Sequence, residues 1–303
     1  ELGGTDDLEQ AKIEFQEAYQ ELEVNGGGVI SIYYHPCEFV HEEFWDGTNF
    51  RNGANPPRSE WQKPPVKSAE EVETAHATFE AYVRFIKTFP AVQFKTARML
   101  PALFPDLASL RSFKESEILE IAKAVEARGV DYQEQKRFSL SASEVFSLLV
   151  RSAETKLAGE PAVPLQLEKP SILGPINLQP DQIEVKASLN QYERTVQDVV
   201  DFMKSKGRIP EAIWLGSQIV SPESFLVTTA HYIAGTQPNP ETPTEMLFEP
   251  EELRPARHVK NDKSLWGWVI VPPEFEAPEM MELARRQSWT LKPALPLYRA
   301  TAK

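Results

Sequence analysis

Apolar side chains recur at helical spacing through much of this chain, and in a few places that pattern gives way to β-branched and aromatic runs. Over residues 7–24, Leu8, Ala11, Ile13, Phe15, Ala18, Tyr19 and Leu22 form one stripe. It closes at Asn25 and the glycines 26–28, which predicts a helix and its end. Residues 29–39 then read V-I-S-I-Y-Y-H-P-C-E-F. On period-two geometry neither face of this run is polar, which predicts a strand covered on both sides, stopped by Pro36, with His35 at its carboxyl end. Residues 41–67 lack periodicity and carry Trp45, Phe50 and Trp61. The stretch exceeds ordinary loop lengths, a feature of functional or disordered loops. Ser68 and Glu71 make a capping box ahead of the stripe Val72, Ala75, His76, Phe79, Tyr82, Val83 and Ile86. After Pro90, residues 92–96 read as another strand. The resulting αβαβ alternation implies a parallel sheet.

Beyond about residue 110 the pattern becomes a weak internal repeat. A helix over 117–128 ends at Gly129, and a second is capped by Ser141 with Glu144. The pattern recurs as a helix over 192–206 ending at Gly207, then R-I-P-E-A-I-W-L-G, then a helix opened by Ser221-Pro222. Residues 158–180 read as a Pro-rich crossing and 236–265 as irregular. A strand is expected over 266–271 and a helix over 278–287. The domain boundaries implied are 1–112, 113–235 and 236–303.

Composition narrows the function classes. With 303 residues the chain can hold more than one domain, and 41% hydrophobic with 25% charged residues is ordinary for a globular protein. The net charge of -13, with no basic run, argues against nucleic acid and against an anionic membrane surface. No apolar stretch approaches the roughly 18 residues of a membrane span. One cysteine excludes an internal disulfide framework and a Cys-based zinc cluster. The chain starts at Glu1 without a signal peptide, which reads as a processed or truncated N-terminus.

Candidate chemistry gathers around residues 35–46. A strand-end His35 suits a general acid and equally a structural histidine. Glu38 can orient an imidazole or stand as a loop charge. Cys37 beside a histidine suits a thiolate or a small buried hydrophobe. His41 with Glu42, Glu43 and Asp46 suits a metal or a solvated loop entrance. Trp45 and Trp61 can stack on sugar rings or anchor their loop.

Two resemblances follow from these residues. Residues 29–39, the helix after them and F-P-A-V-Q-F-K-T-A-R-M-L resemble the closing part of a polysaccharide deacetylase (carbohydrate esterase) barrel. K-S-K-G-R-I-P-E-A-I-W-L-G-S-Q-I-V-S-P-E-S-F-L resembles a pseudomurein-binding repeat, whose first copy here has Val130-Asp-Tyr132 in place of the Ile-Pro strand. The fold implied is α/β, a partial (β/α) barrel with a mainly helical C-terminal repeat region. The activity implied is removal of acetyl groups from an N-acetylated cell-wall or extracellular polysaccharide, with His35 as general acid; Glu38, Trp45 and Trp61 are expected on the substrate from their own chemistry. The family uses a divalent metal, zinc, held by an Asp and a His-x-x-x-His pair. The histidines here are 35, 41, 76, 231 and 258, no two of them four apart, so this chain supplies no such ligands. The resemblance therefore also implies association with a missing N-terminal segment and an extracellular or envelope location. The alternative function is a polysaccharide or cell-wall binding module without catalysis. A structural or interaction protein is the third class.

Overall fold

The computed structural model describes residues 5–177, 183–237 and 244–296. Among them the chain is mixed α/β, dominated by helix, with its strands in two-stranded antiparallel pairs and no closed sheet. It divides into two compact units, Glu1–Leu100 with Asn261–Glu276, and Pro101–Lys260 with Ala277–Lys303.

Unit 1 contains α1 (Thr5–Val24), α2 (Pro36–Val40), α3 (Trp45–Phe50) and α4 (Ala69–Ile86), and α5 (Leu100–Leu103) begins at the last residue of its first segment. The stripe on α1 packs against α4, burying Phe15, Tyr82 and Ile86. Phe15 meets Phe89 edge-on at 5.2 Å between ring centroids, a favoured aromatic geometry. The Ser68 capping box forms as the sequence dictates: Ser68 Oγ accepts from the Glu71 N–H at 3.3 Å, and the Glu71 carboxylate accepts from the Ser68 N–H at 2.7 Å. His76, on the expected apolar stripe, is exposed and lies flat on Phe39 at 4.8 Å.

The strands expected in this unit do not form. Residues 27–35 and 92–96 are irregular and without a ladder partner, and 266–271 opens on the end of a 3-10 turn (Lys263–Trp266) and continues through bends. The alternation in 29–35 is used differently: Ile30 and Tyr34 pack against the Phe15 cluster, while Val29, Ile32 and Tyr33 face solvent. Ile32, on the same period-two face as Ile30 and Tyr34, is exposed, so the alternation is kept only in part against the helix pair. Among the described residues, the ladder contact of unit 1 is the single bridge between His41 and Val66.

Unit 2 is a duplication. Its first copy runs β1 (Ser112–Phe113), α6 (Glu115–Arg128), β2 (Gln133–Glu134), β3 (Ser139–Leu140), α7 (Ala142–Leu157) and β4 (Leu165–Gln166). The second runs β5 (Val185–Ser188), α8 (Leu189–Lys206), β6 (Ile213–Leu215), β7 (Gln218–Val220), α9 (Pro222–Ala234) and β8 (Glu245–Phe248). In each copy the outer strands pair with each other, β1 with β4 and β5 with β8, and the inner strands form a hairpin, β2 with β3 and β6 with β7. The copies cover one another's apolar helix faces: α6 packs on α9, α7 on α8, and α7 on α9. Exchanging the copies leaves this scheme unchanged, which is an internal pseudo-two-fold.

The chain after each outer strand crosses to the other copy. Leu173 bridges Arg208, just past the end of α8, and Leu253 bridges Val130, just past the end of α6. The crossing segments share a pattern, L-E-K-P-S-I-L-G-P from 167 and F-E-P-E-E-L-R-P from 248. Those two stretches are the ones expected to be merely Pro-rich or irregular. Beyond the duplication, α10 (Pro278–Gln287) begins and ends where the sequence places it. The 3-10 turn after it seats Trp289, wholly buried, against Phe146. Gly174 makes room for this indole, since a Cβ there would stand 2.6 Å from Trp289 Cβ.

Candidate functional site

The residues singled out by sequence lie in unit 1 and form two neighbouring constructions along the chain. The first is centred on α2. His35 precedes this helix at its N-cap position, exposed, with its ring edge-on to Tyr33 at 5.7 Å and to Phe44 at 5.1 Å. Glu38 does not hold the imidazole. Its carboxylate accepts from the His35 backbone N–H at 3.3 Å, serving as the helix cap.

A cavity of about 60 Å³ opens beside α2, lined by Tyr34, Cys37, Glu38, His41, Lys67 and Phe79 among others, with His35 outside its wall. Lys67 Nζ donates to the Glu38 carbonyl at 2.8 Å, which fixes one side. His41 Nδ1 is buried and meets no hydrogen-bond partner. Burial, reinforced by Tyr82 and Glu38, pushes the Tyr34 hydroxyl up to about 12, so it is a neutral donor at ordinary pH. The expected acidic cluster does not converge: Glu43 pairs with Arg51 at 2.8 Å, and Asp46 accepts from the Trp268 indole at 2.7 Å. Among the described residues no three of His, Cys, Asp and Glu come together as metal ligands. The zinc that the deacetylase resemblance implies finds no donor set among the described residues.

The second construction is the loop from α3 to Trp61. Asn49, almost completely buried, is its fastener. Its side-chain amide donates to the Trp45 carbonyl at 2.9 Å and to the Gln62 carbonyl at 3.0 Å, and its side-chain carbonyl accepts from the Gln62 N–H at 2.8 Å. Three bonds from one amide thus fasten the loop from within, inside the His41–Val66 bridge that joins its outer ends. Closure brings Trp45 and Trp61 together edge-to-face at 5.2 Å, with Phe50 5.1 Å from Trp45. The Trp61 indole N–H donates to the Pro56 carbonyl at 3.2 Å, and the Arg58 guanidinium lies 5.9 Å from its ring. Trp45 and Trp61 nonetheless keep 43% and 41% of their surface exposed, too much for indoles whose role is to fill a core. They anchor the loop and also present ring surface to solvent.

Sequence reading marked the two indoles but not Asn49. One asparagine in a stretch rich in Asn, Gly and Pro carries no periodic signal, and its partner lies thirteen residues away. His35 and Glu38 share α2 without sharing a hydrogen bond between side chains, and neither touches the indole cluster through a ring contact or hydrogen bond. The chain matches no protein-family model, no curated protein and no solved structure.

Proposed function

We propose that this chain is a non-catalytic binding module for an N-acetylated polysaccharide, with Trp45 and Trp61 making the principal contact. The observation that supports this reading is a pair of half-exposed indoles held together on a loop that Asn49 closes from within. Pyranose rings present C–H faces that pack on indole, and an aromatic pair already fixed in place loses little conformational entropy on binding. The barrel-like reading of residues 1–112 is not needed for this function.

De-N-acetylation with His35 as general acid is the second reading, supported by an exposed imidazole seated between two aromatic edges. It requires a metal centre supplied from elsewhere. Calorimetric titration with oligomers of N-acetylglucosamine separates the two readings. Trp61→Ala should weaken binding by about fivefold or more, since truncating an anchoring aromatic commonly costs above 1 kcal/mol. Asn49→Ala should weaken it as well by releasing the loop, and His35→Ala should leave affinity unchanged. Unchanged affinity in the tryptophan variants would end the binding proposal. Acetate release by the wild-type chain that disappears in His35→Ala would move the support to catalysis.

A further inference from the structure

Between the two copies of unit 2 lies a cavity of about 130 Å³, walled by α7 and the crossing segment 168–172 of the first copy and the end of α8 of the second. Ser147, Ile172, Val200 and Met203, all buried, make its interior, and Arg151, Lys169, Lys204 and Glu168 stand around it. A cavity of about 150 Å³ holds a molecule as large as benzene, so this one has room for a small organic ligand.

Two features point to the chemistry of that ligand. Ser147 is 2% exposed, and its hydroxyl has no hydrogen-bond partner, not even the carbonyl one turn earlier to which helical serines commonly return. Ser147 and Arg151 are four residues apart on α7 and so lie on one face, one above the other. Arg151 is already oriented, donating to the Gln166 carbonyl at 2.7 Å and pairing with Glu168 at 3.1 Å. Lys204 pairs with Glu154 at 3.7 Å. Two of the three cations are thus paired, Arg151 with Glu168 and Lys204 with Glu154, and Lys169 leaves the wall one excess positive charge, while its interior is aliphatic.

The corresponding place in the second copy lacks this character. Eighty residues on, Ser147 is matched by Val227 and Arg151 by His231. His231 is occupied within the fold, by Thr236 at 2.8 Å and Glu126 at 2.8 Å. The unsatisfied hydroxyl and the arginine above it are therefore absent from the pseudo-symmetric counterpart of this site.

We propose that this cavity binds a short-chain monocarboxylate. The carboxylate lies along α7, accepting a hydrogen bond from the Ser147 hydroxyl within the field of Arg151 and Lys204, and the alkyl tail rests on Ile172, Val200 and Met203. A phosphate would waste the aliphatic surface, and a neutral ligand would leave the positive wall uncompensated.

The test is titration of the chain with sodium butyrate at constant ionic strength, followed by amide shifts of α7 and α8, with chloride and inorganic phosphate as comparison anions. Saturable binding in about the millimolar range is expected for so small a ligand. Ser147→Ala should weaken it by about tenfold or more, the usual loss for a hydrogen bond to a charged group. That variant removes a hydroxyl with no partner in the fold, so its melting temperature should not fall. Absence of saturable butyrate binding, equal binding by Ser147→Ala, or phosphate binding as tight as butyrate would each overturn the proposal.

Discussion

Unit 2 buries Phe146, Tyr192, Phe225, Phe248 and Trp289 completely, whereas the hydrophobic centre of unit 1 is Phe15, Tyr82 and Ile86 with half-buried neighbours. The difference lies in how each unit covers its helices. In unit 2, α7 is covered by α6, α8 and α9, so its residues from Ala142 to Val150 are all buried. Duplication supplies each copy with the apolar face that its own helices lack. In unit 1, α1 and α4 have one another, and the rest is extended chain and loop that must be fastened piece by piece, as Asn49 fastens the tryptophan loop. A duplicated module thus gains a core by symmetry, while a single helix pair leaves surface free for aromatic side chains to face outward.

The two hairpins of unit 2 repeat the lesson at smaller scale. Gln133 on β2 donates its side-chain amide to the Ile121 carbonyl of α6 at 3.0 Å. In the second copy the direction reverses, with Thr195 of α8 donating to the Trp214 carbonyl of β6 at 2.9 Å. The position of the link is kept, although the residue making it is not.

If the contrast between the units is right, truncating the centre of unit 2 should do the most damage, and Phe146→Ala does that most directly. A fully buried phenylalanine replaced in a packed core costs about 3–5 kcal/mol, measured by denaturant unfolding. A loss under about 1 kcal/mol would mean that the unit 2 core is far looser than its burial implies.

A sharper test uses pH. Burial pushes the Glu223 carboxyl, at the start of α9, up to about 7 from its ordinary 4.5, with its own backbone N–H and Ser221 opposing the shift. The nearby Trp289 indole opposes it last and least, its Nε1 lacking a hydrogen bond of good geometry. The folded state therefore holds the Glu223 proton to higher pH than the unfolded state does. Its contribution to stability is complete below about pH 4.5, falls as the pH rises to about 7, and is level above that. Glu223→Gln should abolish this part of the pH slope. At pH 8 the variant should exceed the wild type by up to about 3 kcal/mol, the equivalent of the shift. Parallel stability curves for the two proteins from pH 4 to 8 would refute the buried-carboxylate account.

The smallest effect belongs to unit 1. Ser68→Ala removes the α4 cap and should cost about 1 kcal/mol in thermal unfolding, with unit 2 unaffected.

Much of the helical frame was legible in the chain. Ser68 with Glu71, Ser141 with Glu144, Gly207, and Ser221 followed by Pro222 marked ends that the structure reproduces. The candidate site was legible in part. Trp45 and Trp61 stood out as large aromatics in an unpatterned stretch, but the amide that unites them gave no signal. Glu38, open in the sequence between orienting the imidazole and standing as a loop charge, does neither, because a carboxylate three residues into a helix is better placed to cap it than to reach the cap residue's own side chain.

What the sequence determined by itself is local: helix starts, helix ends and apolar stripes, since each depends on residues within a turn or two of one another. What only tertiary structure decided is which extended segments became strands. A run such as 29–35 has every β-branched and aromatic feature of a strand, yet its backbone finds no second chain to pair with, while the two-residue β1 and β4 have almost no pattern and do pair. Helical hydrogen bonds close within one segment, and ladder bonds need a partner that packing alone brings alongside.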